Sequence, residues 1–299
     1  MMVDRHRIEQ LLGPDIAQTG VAAVSSSTHK SGALHSMSFR MTTGEDVPAF
    51  YLPPAYARAP AILYCHAHGN RYDIGARELT DGRPALQGAY LPTLSAAGYA
   101  VLCVEMPCFG ARAGQTESAT AKARLWEGRT LFGQMLAEQG AALDWLRGQP
   151  DVDSGRIGVM GISMGGTLAW WLAALRPDVA AAVSMCCFAD LGTLIRHDAH
   201  DGHGIYMTVP GLAALTRTGC LAALAAPVPA MHCVGLADWS TPPEAFEVAR
   251  RDIEAGYAAA GASDALAFHV AEDHGHAETP KMRHAVLQFL SRHLRPGPA

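Results

Sequence analysis

The chain alternates unbroken apolar runs with stretches in which apolar residues recur at helical spacing. Six runs are of the first kind: AILYCHAHG (61–69), YAVLCVEMP (99–107), RIGVMGIS (156–163), VAAAVSMCC (179–187), PVPAMHCVGLAD (227–238) and LAFHVAEDH (266–274). A strand with one wet face alternates apolar and polar residues, whereas one covered on both faces reads as a continuous run. These six therefore predict buried strands of a parallel sheet. Helical stretches fall between them: LQGAYLPTLSAAG (86–98), residues 125–150 as one long amphipathic helix, MGGTLAWWLAALRP (164–177), PPEAFEVARRDIEAGYAAAG (242–261) and PKMRHAVLQFLSRHL (280–294). The alternation predicts an α/β fold with helices on both faces of the sheet. Upstream, LHSMSFRMTT and VPAFYLPP predict two antiparallel edge strands turning at Thr43–Gly44–Glu45. Residues 1 to about 33 read as a helix followed by a polar Ser/Thr-rich connection. The expected organisation is an N-terminal piece, 1–45, packed on a single domain, 46–299. One segment, 188–226, is too long for a simple crossover. It predicts a small helical, cap-like insertion after the fourth buried strand, over the sheet edge where ligands bind in such folds.

Composition adds limits. In 299 residues, 49% are hydrophobic and 17% charged, enough apolar mass for a sizeable core and too little charge for disorder. A net charge of −5 supplies no electrostatic basis for binding nucleic acid or an anionic membrane. No apolar h-region opens the chain and no run reads as a membrane span. Seven cysteines without a CxxC pair fit small hydrophobes in a reduced cytoplasmic protein. No P-loop or strand–helix GxGxxG is present, so no nucleotide cofactor is expected.

Candidate chemistry centres on Gly161-Ile162-Ser163-Met164-Gly165, a G-x-S-x-G at a predicted strand-to-helix junction. Such a turn lifts a serine above the sheet in a strained backbone conformation, with close-packed glycines beside it and a helix N-terminus behind it. A serine hydroxyl needs a base within reach and an acid to orient that base. In this topology the order along the chain is Ser, then Asp or Glu, then His. Asp238 ends the fifth run, with Asp190 as the fallback after the fourth. His274 and His276 compete in the loop after the sixth, and Gly275 beside His276 together with the longer reach favours His276. One oxyanion donor is expected from the Met164 N–H. The second is expected from the loop after the first buried strand, at Asn70 N–H with Gly69 next, while His66 and His68 brace that loop.

Around these residues the chain resembles the α/β-hydrolase superfamily, and within it the dienelactone-hydrolase-like and acetyl-xylan-esterase-like group. The pieces are LYCHAHGN, EMPCFGAR, DSGRIGVMGISMGG, GLADWSTPP and GHAETPKMRHAVLQFLSRHL, spanning roughly 46–299. The resemblance implies a Ser163–His276–Asp238 triad, and its catalytic-histidine segment matches GHAET. Two departures stand out. Dienelactone hydrolases proper carry a cysteine nucleophile where this chain has Ser163, so lactone opening is not implied. Acetyl xylan esterases of this type are mostly exported, and no export signal is read here.

Other residues receive plainer expectations. His197, His200 and His203 form a His-rich stretch broken by Gly202 and Gly204, explained without a metal, and His203 and Tyr206 are placed at the substrate entrance. Glu105 is expected to order the 106–110 loop, and Trp170 and Trp171 to fill core. The expected protein is a cofactor-free serine hydrolase of carboxylesterase type, acting on a small-molecule ester with a small or medium acyl group. Its oligomeric state is left open between monomer and homodimer. A peptidase or amidase of the same fold and a non-catalytic binding protein are the alternatives.

Overall fold

In a computed structural model the described residues are 4–28 and 33–294. Helices α1 (Arg5–Leu12) and α2 (Asp15–Gln18) lead into strands β1 (Val21–Thr28), β2 (His35–Met41), β3 (Asp46–Leu52) and β4 (Ala59–Cys65). Then come α3 (Glu78–Asp81), α4 (Leu91–Ala96), β5 (Ala100–Val104), α5 (Glu117–Trp126), α6 (Leu131–Arg147), β6 (Val152–Ile162), α7 (Met164–Leu175) and β7 (Ala181–Met185). The chain continues through α8 (Leu191–Arg196), α9 (Leu212–Leu215) and α10 (Thr218–Ala222) to β8 (Ala230–Gly235), α11 (Pro243–Ala259), β9 (Leu266–Ala271) and α12 (Pro280–Leu294).

All nine strands form one sheet in the order β1-β2-β3-β5-β4-β6-β7-β8-β9. The first three pair antiparallel with one another, and β3 joins β5 antiparallel. From β5 to β9 every pairing is parallel. The six continuous runs are these six parallel strands, and their side chains divide between two cores. On β4, Ala61, Leu63 and Cys65 enter one core while Ile62 enters the other with Tyr64. The first core holds α1, α6, α7 and α11, and the second holds α4 and α12. Burial on both faces is why β4 through β8 lack a polar alternation, while β9, at the sheet's end, is half-buried along its length.

Two expectations are corrected. The Ser/Thr-rich connection is largely a strand: VAAVSSST is β1, paired with β2 at the sheet margin. Its residues 24–27 are exposed, and a wet edge strand tolerates serines that a central strand would not. Residues 29–32 of that stretch lie outside the described residues. The long helix over 125–150 is two, α5 and α6. Gly128 takes φ +72°, a left-handed turn that ends α5, and the Thr130 hydroxyl caps α6 by accepting from Gly133 N–H at 2.9 Å.

Residues 188–226 carry α8, α9 and α10 with short 3-10 turns between them, beyond the C-terminal end of β7. Among the described residues no helix is long and apolar enough to cross a membrane.

Candidate active site

Ser163 joins β6 to α7 with φ +56° and ψ −123°, a conformation costly for any residue bearing a Cβ. Its backbone is fixed on both sides: its N–H donates to Met185 O at 2.8 Å, and its carbonyl accepts from Thr167 N–H at 2.8 Å. The flanking glycines are required by a neighbour in the sheet. A Cβ on Gly165 would lie 1.9 Å from Cys65 O at the end of β4, and one on Gly161 would lie 2.4 Å from that oxygen and 2.5 Å from the Gly165 carbonyl carbon. Strand β4 thus forces the helix to start flush against the sheet, with Ser163 above it.

His276 and Asp238 meet. The Nδ1 of His276 lies 2.8 Å from Asp238 Oδ2, and the Asp238 side chain is fully buried. The other carboxylate oxygen, Oδ1, accepts from both the N–H and the hydroxyl of Ser240 at 2.8 Å, and Ser240 Oγ lies 3.0 Å from His276 Nδ1. Ser240, missed in the sequence, therefore braces Asp238 and touches His276. His274 contributes its backbone instead, its carbonyl accepting from Ala237 N–H at 3.0 Å. Asp190, the fallback acid, caps α8, accepting from the N–H and hydroxyl of Thr193 at 2.9 Å.

A cavity of about 400 Å³ lies beneath the 188–226 insertion, and Ser163 and His276 both line it. Among the described residues Ser163 Oγ holds no hydrogen bond. Ligand-free sites often leave such a contact loose until substrate arrives. His203 and Tyr206 line the cavity too. His203 Nε2 lies 3.0 Å from Ser240 O, and burial holds its imidazole below the usual pKa. Trp170 and Trp171 pack into the core as expected but also wall the cavity.

The loop after β4, where the second oxyanion donor was expected, differs from that expectation at Asn70. Asn70 N–H donates to His68 Nδ1 at 3.0 Å, so this amide is committed inside its own loop. The cause is local: Gly69 and Asn70 both take φ +53°, and the consecutive left-handed residues fold the amide back onto the His68 ring. Because Nδ1 accepts, the proton of a neutral His68 sits on Nε2, which lies 2.6 Å from Glu117 Oε2. Glu117, in the first turn of α5, also accepts from Tyr72 OH at 2.6 Å and, through Oε1, from Tyr206 N–H at 2.8 Å. One buried carboxylate so ties the loop after β4 to the insertion. Burial works to raise the Glu117 pKa, but the hydrogen bonds from His68 and Tyr72 outweigh it and hold the group below the usual carboxylate range.

Two further acids brace the site from beneath. Glu105 Oε1 accepts from Ala76 N–H at 2.8 Å, and its carboxylate fills the space where Gly75 and Gly110 would carry a Cβ. Fully buried Glu278, two residues beyond His276, accepts from Gln87 N–H at 2.8 Å and from Tyr90 OH, fastening the histidine loop to the segment before α4. The histidines of the insertion have separate partners: His197 Nε2 lies 2.8 Å from Glu244 Oε2, while His203 turns to Ser240. Among the described residues no three His, Cys, Asp or Glu side chains converge as metal ligands would.

Comparison with known proteins adds sequence evidence. Residues 43–208 match the family described as X-Pro dipeptidyl-peptidase (S15 family), and residues 127–296 match the Prolyl oligopeptidase family. A protein named "Putative hydrolase YtaP" from Bacillus subtilis (strain 168) is 33% identical over 295 residues, covering 97% of this chain and 98% of its own. Among solved structures, Acetyl Xylan Esterase 1 from Thermoanaerobacterium sp. JW/SL YS485 superposes with a TM-score of 0.67 at 18% identity, covering 98% of this chain and 96% of that one. A glucuronoyl esterase from Solibacter usitatus superposes at 0.68 and 13%, covering 97% and 92%. At such identities these two structures speak to the fold.

Proposed function

The chain belongs to the α/β-hydrolase superfamily of serine hydrolases, and on that premise we propose that it is a carboxylesterase working through Ser163, His276 and Asp238. The observation that carries this is the joint presence of a strained Ser163 at the start of α7 and an Asp238-bound His276 in one cavity.

In this mechanism Ser163 Oγ attacks the ester carbonyl while His276 Nε2 takes its proton. Asp238, already on Nδ1, fixes the tautomer and stabilises the imidazolium. The developing oxyanion is held by the Met164 N–H at the head of α7, where helix-terminal amides have no intrahelical partner. With Asn70 N–H committed to His68, the second donor passes to the N–H groups just upstream, at His68 and Gly69. His276 then protonates the leaving alcohol, and a water activated by the same imidazole releases the acid from Ser163. The finer likeness to acetyl xylan and dienelactone hydrolases and a cytoplasmic location remain part of this proposal, as does the absence of a cofactor.

A peptidase reading draws on the names of the two matching families. Turnover of p-nitrophenyl butyrate beside the matching p-nitroanilide separates the two. The expected result is ester cleavage that is lost in Ser163→Ala, with the anilide slower by orders of magnitude. Anilide cleavage as fast as ester cleavage would transfer the assignment to the peptidase. Folded protein inert toward both would leave a binding role.

A further inference from the structure

We propose, building on the ester-hydrolase reading above, that one limb of the scissile ester is an apolar chain or ring of about four to eight carbons, lodged beneath the 188–226 insertion.

Most of the cavity wall is apolar, although the insertion also contributes His203, Thr216, Arg217 and Thr218. Phe132 of α6, Trp170 and Trp171 of α7, Leu194 of α8, Leu212 of α9 and Leu221 of α10 all line it, each buried. The rings pack on one another: Phe132 meets Trp171 edge-on at 5.1 Å between centroids, and Trp170 lies 5.2 Å from Trp171. Such ring-on-ring packing leaves these side chains little room to rearrange, and the buried Trp170 Nε1 is a polar atom among them without a hydrogen-bond partner.

The charged lining is basic and already paired. Arg71 holds Asp73 at 2.8 Å, Arg217 holds Asp252 at 2.7 Å, and Arg83 is bound to Glu78. Among the described residues no carboxylate lines the cavity. A sugar limb would press several hydroxyls against these rings and leucines, and each one left unpaired there is costly. An alkyl or aryl limb loses nothing there and leaves water behind. At the mouth, Trp239 is 63% exposed beside His276, an aromatic edge over which such a limb would enter. The cavity volume, about 400 Å³, lies within the range that holds a medium-sized organic ligand.

The experiment measures kcat/KM for two ester series with the full chain. One lengthens the acyl limb, p-nitrophenyl acetate to octanoate. The other lengthens the alcohol limb, ethyl to octyl acetate, followed by pH-stat. In whichever series occupies the cavity, kcat/KM is expected to rise about fourfold per methylene, the worth of a buried CH₂, up to a maximum between butyl and octyl. Leu212→Phe, or Leu221→Phe should the first fold poorly, is expected to lower the ratio of the eight-carbon to the two-carbon member of that same series at least fivefold. A steady fall from the two-carbon member in both series overturns the proposal while leaving the hydrolase reading intact. So does faster cleavage of acetylated xylo-oligosaccharide than of any alkyl ester. Folded protein that cleaves no ester in either series removes both.

Discussion

Ser240 Oγ touches Asp238 Oδ1 and His276 Nδ1 at once, so its removal leaves the acid with one donor fewer and the imidazole less firmly aimed. Ser240→Ala is expected to lower kcat about tenfold with KM little changed, the worth of one buried hydrogen bond acting through another residue. Asp238→Asn should be far more damaging, about 10⁴ in kcat, because an amide favours the wrong imidazole tautomer. Steady-state kinetics on a single ester checks both. Equal losses in the two variants would mean that Ser240 does more than position. The Ser240 role could not be seen in GLADWSTPP, where Asp followed two residues later by Ser looks like an ordinary turn. Glu117 was equally hidden, since an acid in a first helical turn looks like a partner for the helix dipole. By contrast Ser163, Asp238 and His276 sat at strand ends, where topology alone restricts what a side chain can reach. Asn70 shows the limit of that logic: strand ends locate a loop, but its backbone angles decide where each amide points.

Among elements, the β6–α7 junction depends on glycine more than on any side chain. Gly165→Ala drives a methyl to 1.9 Å from Cys65 O, a backbone atom held in the sheet, and is expected to abolish recovery of folded protein. Gly140→Ala, inside α6, meets only the movable Arg176 guanidinium at 3.4 Å and should be neutral or stabilise by up to about 1 kcal/mol through helix propensity. Soluble yield and thermal melting distinguish the two. The oxyanion loop and the insertion are joined through Glu117, so Glu117→Gln, which faces an amide N–H₂ toward existing donors, should lower kcat about ten- to a hundredfold. A circular-dichroism spectrum unchanged from the parent would locate that loss in the site. At this scale the sequence was legible wherever burial was two-sided, as in β4, β5, β7 and β8. It was opaque where a strand stays wet, as in β1, and where one left-handed glycine divides a periodic stretch, as at Gly128.

For the molecule as a whole, acid is the predicted weakness. His232 on β8 is fully buried against Phe188 and Phe268 with Ser184 Oγ at 2.8 Å, and burial pushes its pKa down to about 3. In the unfolded chain this imidazole protonates near pH 6.5, so stability is full above that value and falls by up to about 1.4 kcal/mol per pH unit between about 6.5 and 3. Glu117 acts in the same direction lower down. Its depressed pKa stabilises the fold above the normal carboxylate range, and that contribution goes as pH drops through the folded value. Urea midpoints at pH 7.5, 6.0 and 5.0 are expected to decline, with a shallower decline in His232→Gln whatever its starting stability. Parallel declines in the two proteins would contradict the assignment to His232. The α/β architecture itself was readable because a sheet shielded on both sides writes its strands as unbroken apolar runs, while the shape of the 188–226 insertion follows from packing over the cavity and left no periodic trace.

The most direct test of the central claim is reaction with a fluorophosphonate, read by intact mass and peptide mapping. One adduct per chain on Ser163, absent from Ser163→Ala and formed far more slowly in His276→Ala, is the predicted result. Folded protein that takes up no phosphonate, or takes it up equally well without Ser163, would contradict it.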